Sequence, residues 1–210
     1  MMLARHEGRL QRATPGGRGV CPHCDEPVMA KCGQIMVWHW SHYADYCSDT
    51  WAEESDWHLT WKDWALERGW QVEVPIVKNE KPHRADIVTP SGWIIELQHS
   101  PLSTTQIDER ERFYGRMVWI WDAASAWDRF VFNDHDWGVG VRWKRPRWSL
   151  CYVKRPLYLD FADGDVLRVK LSRKESRYGD YDVCLGRGAW VDPDVDFPKA
   201  YGAGQTRLIV

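Results

Sequence analysis

The 210-residue chain lacks any uncharged apolar run near the ~20 residues that a membrane-spanning helix requires, which argues against such a helix. Its first residues, MMLARHEGRLQRA, hold no apolar stretch of the kind a secretory signal needs, so the expected location is the cytoplasm. Cysteine is sparse: six in 210 residues are too few for a disulfide scaffold, and two of them in a tight CxxC suggest metal or redox chemistry in a reducing compartment. Internal repeats and low-complexity tracts are also missing. The formal net charge is only −2, so the chain as a whole has no strong field of one sign. Tryptophan, by contrast, is abundant at 15 residues. Burying an indole requires a partner for its N–H, and most of these residues are expected in the core.

The small net charge hides an asymmetry. From Arg142 to Arg177 there are 11 Lys or Arg against 4 Asp or Glu, and from Ala44 to Arg68 there are 7 acids against 2 bases. An acidic centre beside a basic flank suits an enzyme that uses a metal ion on a polyanionic substrate; solvated strand faces are the plainer account of the basic stretch.

The order of elements follows from caps and periodicity. Thr50-Trp51-Ala52-Glu53 fits a capping box, predicting a helix to about Arg68 with Gly69 as its C′ residue. Gln71–Val77 alternates and predicts a strand, as do Arg84–Thr89 and Trp93–Gln98 around Pro90-Ser91-Gly92. Ser103-Thr104-Thr105-Gln106 is a second capping box, opening a helix to about Tyr114, and Met117–Trp121 fits a buried strand. Beyond Asp122, alternating pieces at Val139–Trp143, Leu150–Val153 and Val166–Leu171 predict a mostly β extension. The expected organisation is a loose basic arm (1–20), a metal-stapled module (21–47), a helix–three-strand–helix–strand core (48–125) and a β-rich basic extension (126–210).

Cys21-Pro22-His23-Cys24 is followed by His39-Trp40-Ser41-His42, giving C-x2-C-x14-H-x2-H. Two short pairs of soft or borderline ligands can close a tetrahedron around Zn²⁺, so Cys21, Cys24, His39 and His42 are the candidate structural zinc ligands. Cys32 and Cys47 are possible substitutes. A redox CxxC is the rival, but no βαβ pattern surrounds it.

A three-residue hairpin loop with Gly92 in the left-handed position sets Thr89 against Trp93, so opposed residue numbers sum to 182 and Asp86 is expected to face Glu96. Alternation gathers Arg84, Asp86, Glu96 and Gln98 on one face and Ala85, Ile87, Ile95 and Leu97 on the other, core-like face. Directly opposed carboxylates destabilise a hairpin unless a divalent cation bridges them, the alternative being a solvated acidic face. On the first helix Glu54, His58 and Lys62 share one side at i, i+4 and i+8, either as an ordinary exposed face or as one wall of a site. Trp57, Trp61 and Trp64 form a neighbouring stripe expected to pack on the sheet.

These pieces together (CPHC with HWSH, EESDWHLTWK, HRADIV, IIELQHSPLS and ERFYGRMVWIW) resemble the competence protein CoiA-like family, a branch of the PD-(D/E)XK nuclease superfamily. The resemblance spans roughly residues 21–121. It implies an α/β fold with a small N-terminal zinc module, a PD-(D/E)XK restriction-endonuclease-like core in the order α-β-β-β-α-β, and a β-rich C-terminal extension. It also implies that Asp86 is the Asp of the PD motif, Glu96 the acid of the E-x-K motif and Glu54 the helix acid, with Cys21, Cys24, His39 and His42 as the zinc set. Ala85 stands where the superfamily often has Pro, and Gln98 where it most often has Lys. Glutamine can orient a water but supplies no positive charge, which Lys62 is then expected to provide.

The expected function is hydrolysis of DNA phosphodiester bonds with Mg²⁺ or Mn²⁺ on Asp86, Glu96 and Glu54. Gln98 and Lys62 would orient water and contact phosphate, and His58 would be a proton shuttle or a packed core histidine. Arg110, Tyr114, Lys144, Arg145 and Arg147 are the expected contacts to the nucleic-acid backbone. The rivals are a zinc-stapled nucleic-acid-binding protein that does not cleave and a Trp-rich interaction protein.

Overall fold

A computed structural model of the chain describes residues 1–22, 24–43, 55–162, 164–172, 176–178 and 181–202. The fold is mixed α/β and rich in strands, and it divides into two compact units, residues 1–77 with 81–87 and residues 78–80 with 88–210. Among the described residues no helix is long and apolar enough to cross a membrane.

The first unit opens with five short strands: β1 (Leu3–His6), β2 (Arg9–Arg12), β3 (Arg18–Val20), β4 (Pro27–Lys31) and β5 (His39–His42). They form one sheet in the order β2-β1-β3-β4-β5, antiparallel throughout. Residues 1–20 are therefore not a loose arm. Glu7 and Gly8, both at positive φ, make the turn that folds β2 back on β1, and Gly19 lies where a Cβ would meet the Arg5 carbonyl at 2.9 Å. The core beneath is small: Met1, Ala4, Ala13, Cys21, Val28 and Trp40. Trp40 is anchored by its indole N–H, which donates to the Gln11 carbonyl at 2.9 Å.

Helix α1 (Asp56–Glu67) follows, with Ser55 as N-cap; the expected capping box at Thr50 and Glu53 lies outside the described residues. Its C-terminus behaves as expected. Gly69 sits at φ 71, its N–H donates to the Leu66 carbonyl at 2.9 Å and that of Trp70 to Ala65 at 3.0 Å, a pair of bonds that caps the last carbonyls. The buried face is Leu59, Trp61, Lys62 and Ala65, whereas Trp57 and Trp64 are only half-buried. Strands β6 (Gln71–Lys78) and β7 (Lys81–Val88) form a hydrogen-bonded pair. On β7, Ala85 and Ile87 are buried while Arg84 and Asp86 are only partly buried, the expected alternation.

The second unit carries β8 (Ile94–Gln98), α2 (Thr104–Tyr114), β9 (Met117–Asp122), β10 (Phe130–His135), β11 (Gly138–Lys144), β12 (Leu157–Asp160), β13 (Val166–Leu171), β14 (Ser176–Tyr178), β15 (Tyr181–Val191) and the short α3 (Pro193–Phe197). Within it the strands run β10-β11-β15-β13-β12-β9-β8, with β14 on β15. The helix–strand order through β9 is the expected one. Strand β8 continues through α2 to β9, which lies parallel to it, and both strands are buried along their length except Asp122. The Ser103–Gln106 capping box is present in both directions. The expected boundary near 125 falls inside one sheet: β12 pairs in parallel with β9, so the C-terminal strands extend the same layer. Leu150–Val153 is not a strand; Trp148–Tyr152 forms a 3-10 turn that buries Leu150 and Cys151. Among the described residues six tryptophans are buried (40, 61, 70, 119, 121 and 143) and Trp38, Trp127, Trp137 and Trp190 are exposed, so the described set is not the mostly buried one expected.

Candidate functional site

The N-terminal sheet brings three of the four expected soft ligands together. The ligand atoms of Cys21, Cys24 and His42 all lie within 4.8 Å of one another, and Cys24 Sγ is 3.3 Å from His42 Nε2. In a tetrahedral zinc site, thiolate and imidazole donors stand about 3.3–3.8 Å apart, so two thiols and an imidazole in this arrangement fit Zn²⁺. Cys21 and Cys24 sit in the turn between β3 and β4, closed by the Cys21 N–H donating to Glu26 at 2.8 Å and the Asp25 N–H donating to Cys21 at 3.1 Å. His39 stays outside the group, its Nδ1 being 2.9 Å from the Val37 carbonyl. The reason is periodicity: both histidines are on β5, and residues three apart on a strand point to opposite faces. Cys32 packs against the same small core without joining the group, and burial raises its thiol pKa. Cys47 lies outside the described residues.

Residues 7–49 match the family model for the N-terminal domain of competence protein CoiA. That segment covers β2 to β5 and includes every residue of the expected zinc set. Searches of curated proteins and of solved structures give no match.

In the first unit Lys62 is the centre of an acidic cluster. It is fully buried, with Nζ 3.2 Å from Glu73 Oε1 and 3.5 Å from Asp86 Oδ1. It does not lie on an exposed helix face. Asp86 keeps 16% of its side chain exposed. Glu73 was not expected, since it sits in an alternating strand. It adopts φ 55 in mid-strand, a left-handed conformation that breaks the pleat, and its carboxylate accepts from the Met2 N–H at 3.0 Å and the Leu3 N–H at 3.5 Å. The one signal in the sequence is Pro75 two residues later, which marks a strand without regular pairing. One turn before Lys62, His58 has Nδ1 2.9 Å from Ser55 Oγ. Glu54 lies outside the described residues.

In the second unit Glu96 is buried and takes a charged hydrogen bond from Arg110 Nη1 at 3.1 Å. The same nitrogen donates to Gln98 Oε1 at 3.2 Å, and Gln98 Nε2 donates to the Ser100 carbonyl at 2.7 Å, so the amide is held at both ends. The loop before β8 closes as expected: the Thr89 N–H donates to Trp93 O at 2.9 Å and Gly92 stands at φ 77. Tyr201 fastens this turn, its carbonyl accepting from Ser91 Oγ and its ring 5.1 Å from that of Trp93.

Of the expected backbone contacts, Arg110 is engaged with Glu96 and Gln98. Tyr114 is buried, because Ile107, Glu111 and Tyr114 form the inward face of α2, which places it in the core rather than at a phosphate. Lys144 is half-buried and Arg145 exposed. Arg147 donates to the His99 carbonyl at 3.2 Å, and partial burial lowers its pKa.

Proposed function

We propose that the chain is a metal-dependent nuclease of PD-(D/E)XK type within the CoiA-like group, hydrolysing phosphodiester bonds of DNA. The observation that carries this reading is Lys62 Nζ at 3.5 Å from Asp86, which puts the helix cation beside the acid on which the sequence argument centres. Asp86 and Glu96 are hard oxygen donors suited to Mg²⁺ or Mn²⁺, with Glu54 as a third candidate. When bound, such an ion lowers the pKa of its water and neutralises charge on the phosphate.

The protein's own groups have separate tasks in this reading. Lys62, held by Glu73, fixes the Asp86 carboxylate and supplies the positive charge that Gln98 lacks. Gln98, clamped by Arg110 and Ser100, presents an amide dipole to orient water. His58 is the candidate proton carrier, one helical turn from Lys62. The Thr89–Trp93 closure is the one from which the sequence argument opposes Asp86 and Glu96. The Cys21–Cys24–His42 group serves as a structural zinc staple.

A second reading, a nucleic-acid-binding protein that does not cleave, is favoured by Arg110, which already neutralises Glu96. A panel of supercoiled, linear, single-stranded and branched DNA with Mg²⁺ or Mn²⁺ separates the two. Cleavage of at least one substrate that ceases without divalent ion is expected; binding without any cleavage across the panel contradicts the nuclease reading.

A further inference from the structure

On β13 and β15 the register sets Lys170 opposite Arg187 and Arg168 opposite Ala189. Two cations directly opposed on one sheet face repel at roughly 5 Å between Cβ atoms, an arrangement that costs stability unless an anion lies between them. Arg168, Lys170 and Arg187 are exposed, and Arg155 joins them from the segment before β12. All four are among the residues lining a groove of about 440 Å³, together with Leu157 and Val169. Among the described residues no Asp or Glu lines this groove, and none of the four cations makes an ion pair with a described residue. Lys154, at the same rim, is different: it is committed to Asp108 at 2.5 Å.

The groove also has an aromatic neighbour. The Arg187 guanidinium lies 5.0 Å over the ring of Trp137, which is 53% exposed and stacked on His135 with ring centroids 4.5 Å apart. A row of cations that make no ion pair among the described residues, with an exposed indole beside it, is the combination that holds a single strand: phosphates go to the cations and an unpaired base stacks on the ring. A duplex offers no free base face to Trp137.

We infer that this groove binds a single strand of nucleic acid, with Arg155, Arg168, Lys170 and Arg187 on its phosphates and Trp137 under a base. The inference rests on the nuclease reading only for the choice of nucleic acid as the polyanion. Arg187 lies beyond the basic stretch that the sequence singles out, and only the strand register brings it to Lys170.

The test is fluorescence anisotropy of the full chain with labelled oligothymidylate of about 20 nucleotides and a duplex of equal length, without added Mg²⁺ or Mn²⁺. The wild type should prefer the single strand. Lys170→Gln with Arg187→Gln should weaken binding at least tenfold and reduce the slope of log affinity against log salt by about 1.4, two phosphates at ~0.7 each. Trp137→Ala should weaken it at least about fivefold and leave that slope unchanged. Lys170→Glu guards against a folding artefact, because it creates an opposite-charge pair with Arg187: its melting temperature should hold or rise while binding falls. Unchanged affinity in these variants, equal or tighter binding of the duplex, or binding of phosphatidylserine vesicles in place of the oligonucleotide overturns the inference. Loss of cleavage in Asp86→Asn bears on the nuclease reading alone, whereas loss of binding in the groove variants bears on the groove alone.

Discussion

The N-terminal sheet β1–β5 and the sheet of the second unit differ in how much apolar core each possesses. The first is built from strands of three to five residues over a core of six buried residues. The second has β9, where Met117, Val118, Trp119, Ile120 and Trp121 are all buried in succession. A long strand buried on both faces derives its stability from apolar area. A sheet as small as β1–β5 cannot, and a metal cross-link is the usual substitute. The first region carries a Cys2His group that could hold a metal such as zinc, while the polar groups of the second are set among long buried strands.

Metal removal should separate the regions most clearly. Purified protein should hold about one Zn²⁺ per chain, and because structural zinc contributes apparent free energies of about 10–16 kcal/mol in small modules, its loss should unfold β1–β5. The amides of β9 should keep their protection in hydrogen exchange. His42→Ala should lose zinc and His39→Ala should retain it, a contrast readable by metal analysis. Metal-free protein with β1–β5 intact would break the comparison.

Buried polar groups come next. In the first unit Lys62→Met removes the partner of Glu73 and should destabilise by about 3 kcal/mol or more in chemical denaturation, since it leaves a buried carboxylate uncompensated. In the second, Glu111 Oε1 accepts from Trp119 Nε1 at 3.2 Å and from the N–H groups of Lys154 and Arg155 at 2.9 and 3.1 Å. Glu111→Ala strands these donors and should cost about 2–4 kcal/mol in the same measurement.

The smallest expected effect is at the surface. The hydrogen bond from Lys154 holds the Asp108 carboxyl below its usual pKa, with Arg112 assisting. A depressed carboxyl pKa stabilises above the ordinary range, and the effect is lost as pH falls through the lowered value. The pair is exposed, so the shift should be visible in an NMR titration of Asp108 with little change in stability. Asp108→Asn should free Lys154 and raise oligonucleotide affinity a few-fold.

How much was legible in the sequence depends on the range of the interaction. Local signals held: the Ser103–Gln106 box, the Gly69 cap and the Thr89–Trp93 closure are each settled within a few residues. The CxxC was legible for the same reason. His39 misled because the pattern HxxH does not say whether it lies on a helix, where both rings share a face, or on a strand, where they do not. Residues 1–20 read as a loose arm because their strands are only three or four residues long and mostly not buried, too short to show alternation. Glu73 and the Lys170–Arg187 pair depend on backbone conformation and strand register, which composition does not encode.

The nuclease reading meets its most direct test in divalent-dependent cleavage by Asp86→Asn and Glu96→Gln, singly and together, with folding checked by circular dichroism. Each change removes charge while nearly keeping shape, and Ala85, Ile87, Ile95 and Leu97 stay buried and untouched. The account predicts that the fold persists and that cleavage falls by several orders of magnitude in either variant. Full cleavage by the double variant would contradict it.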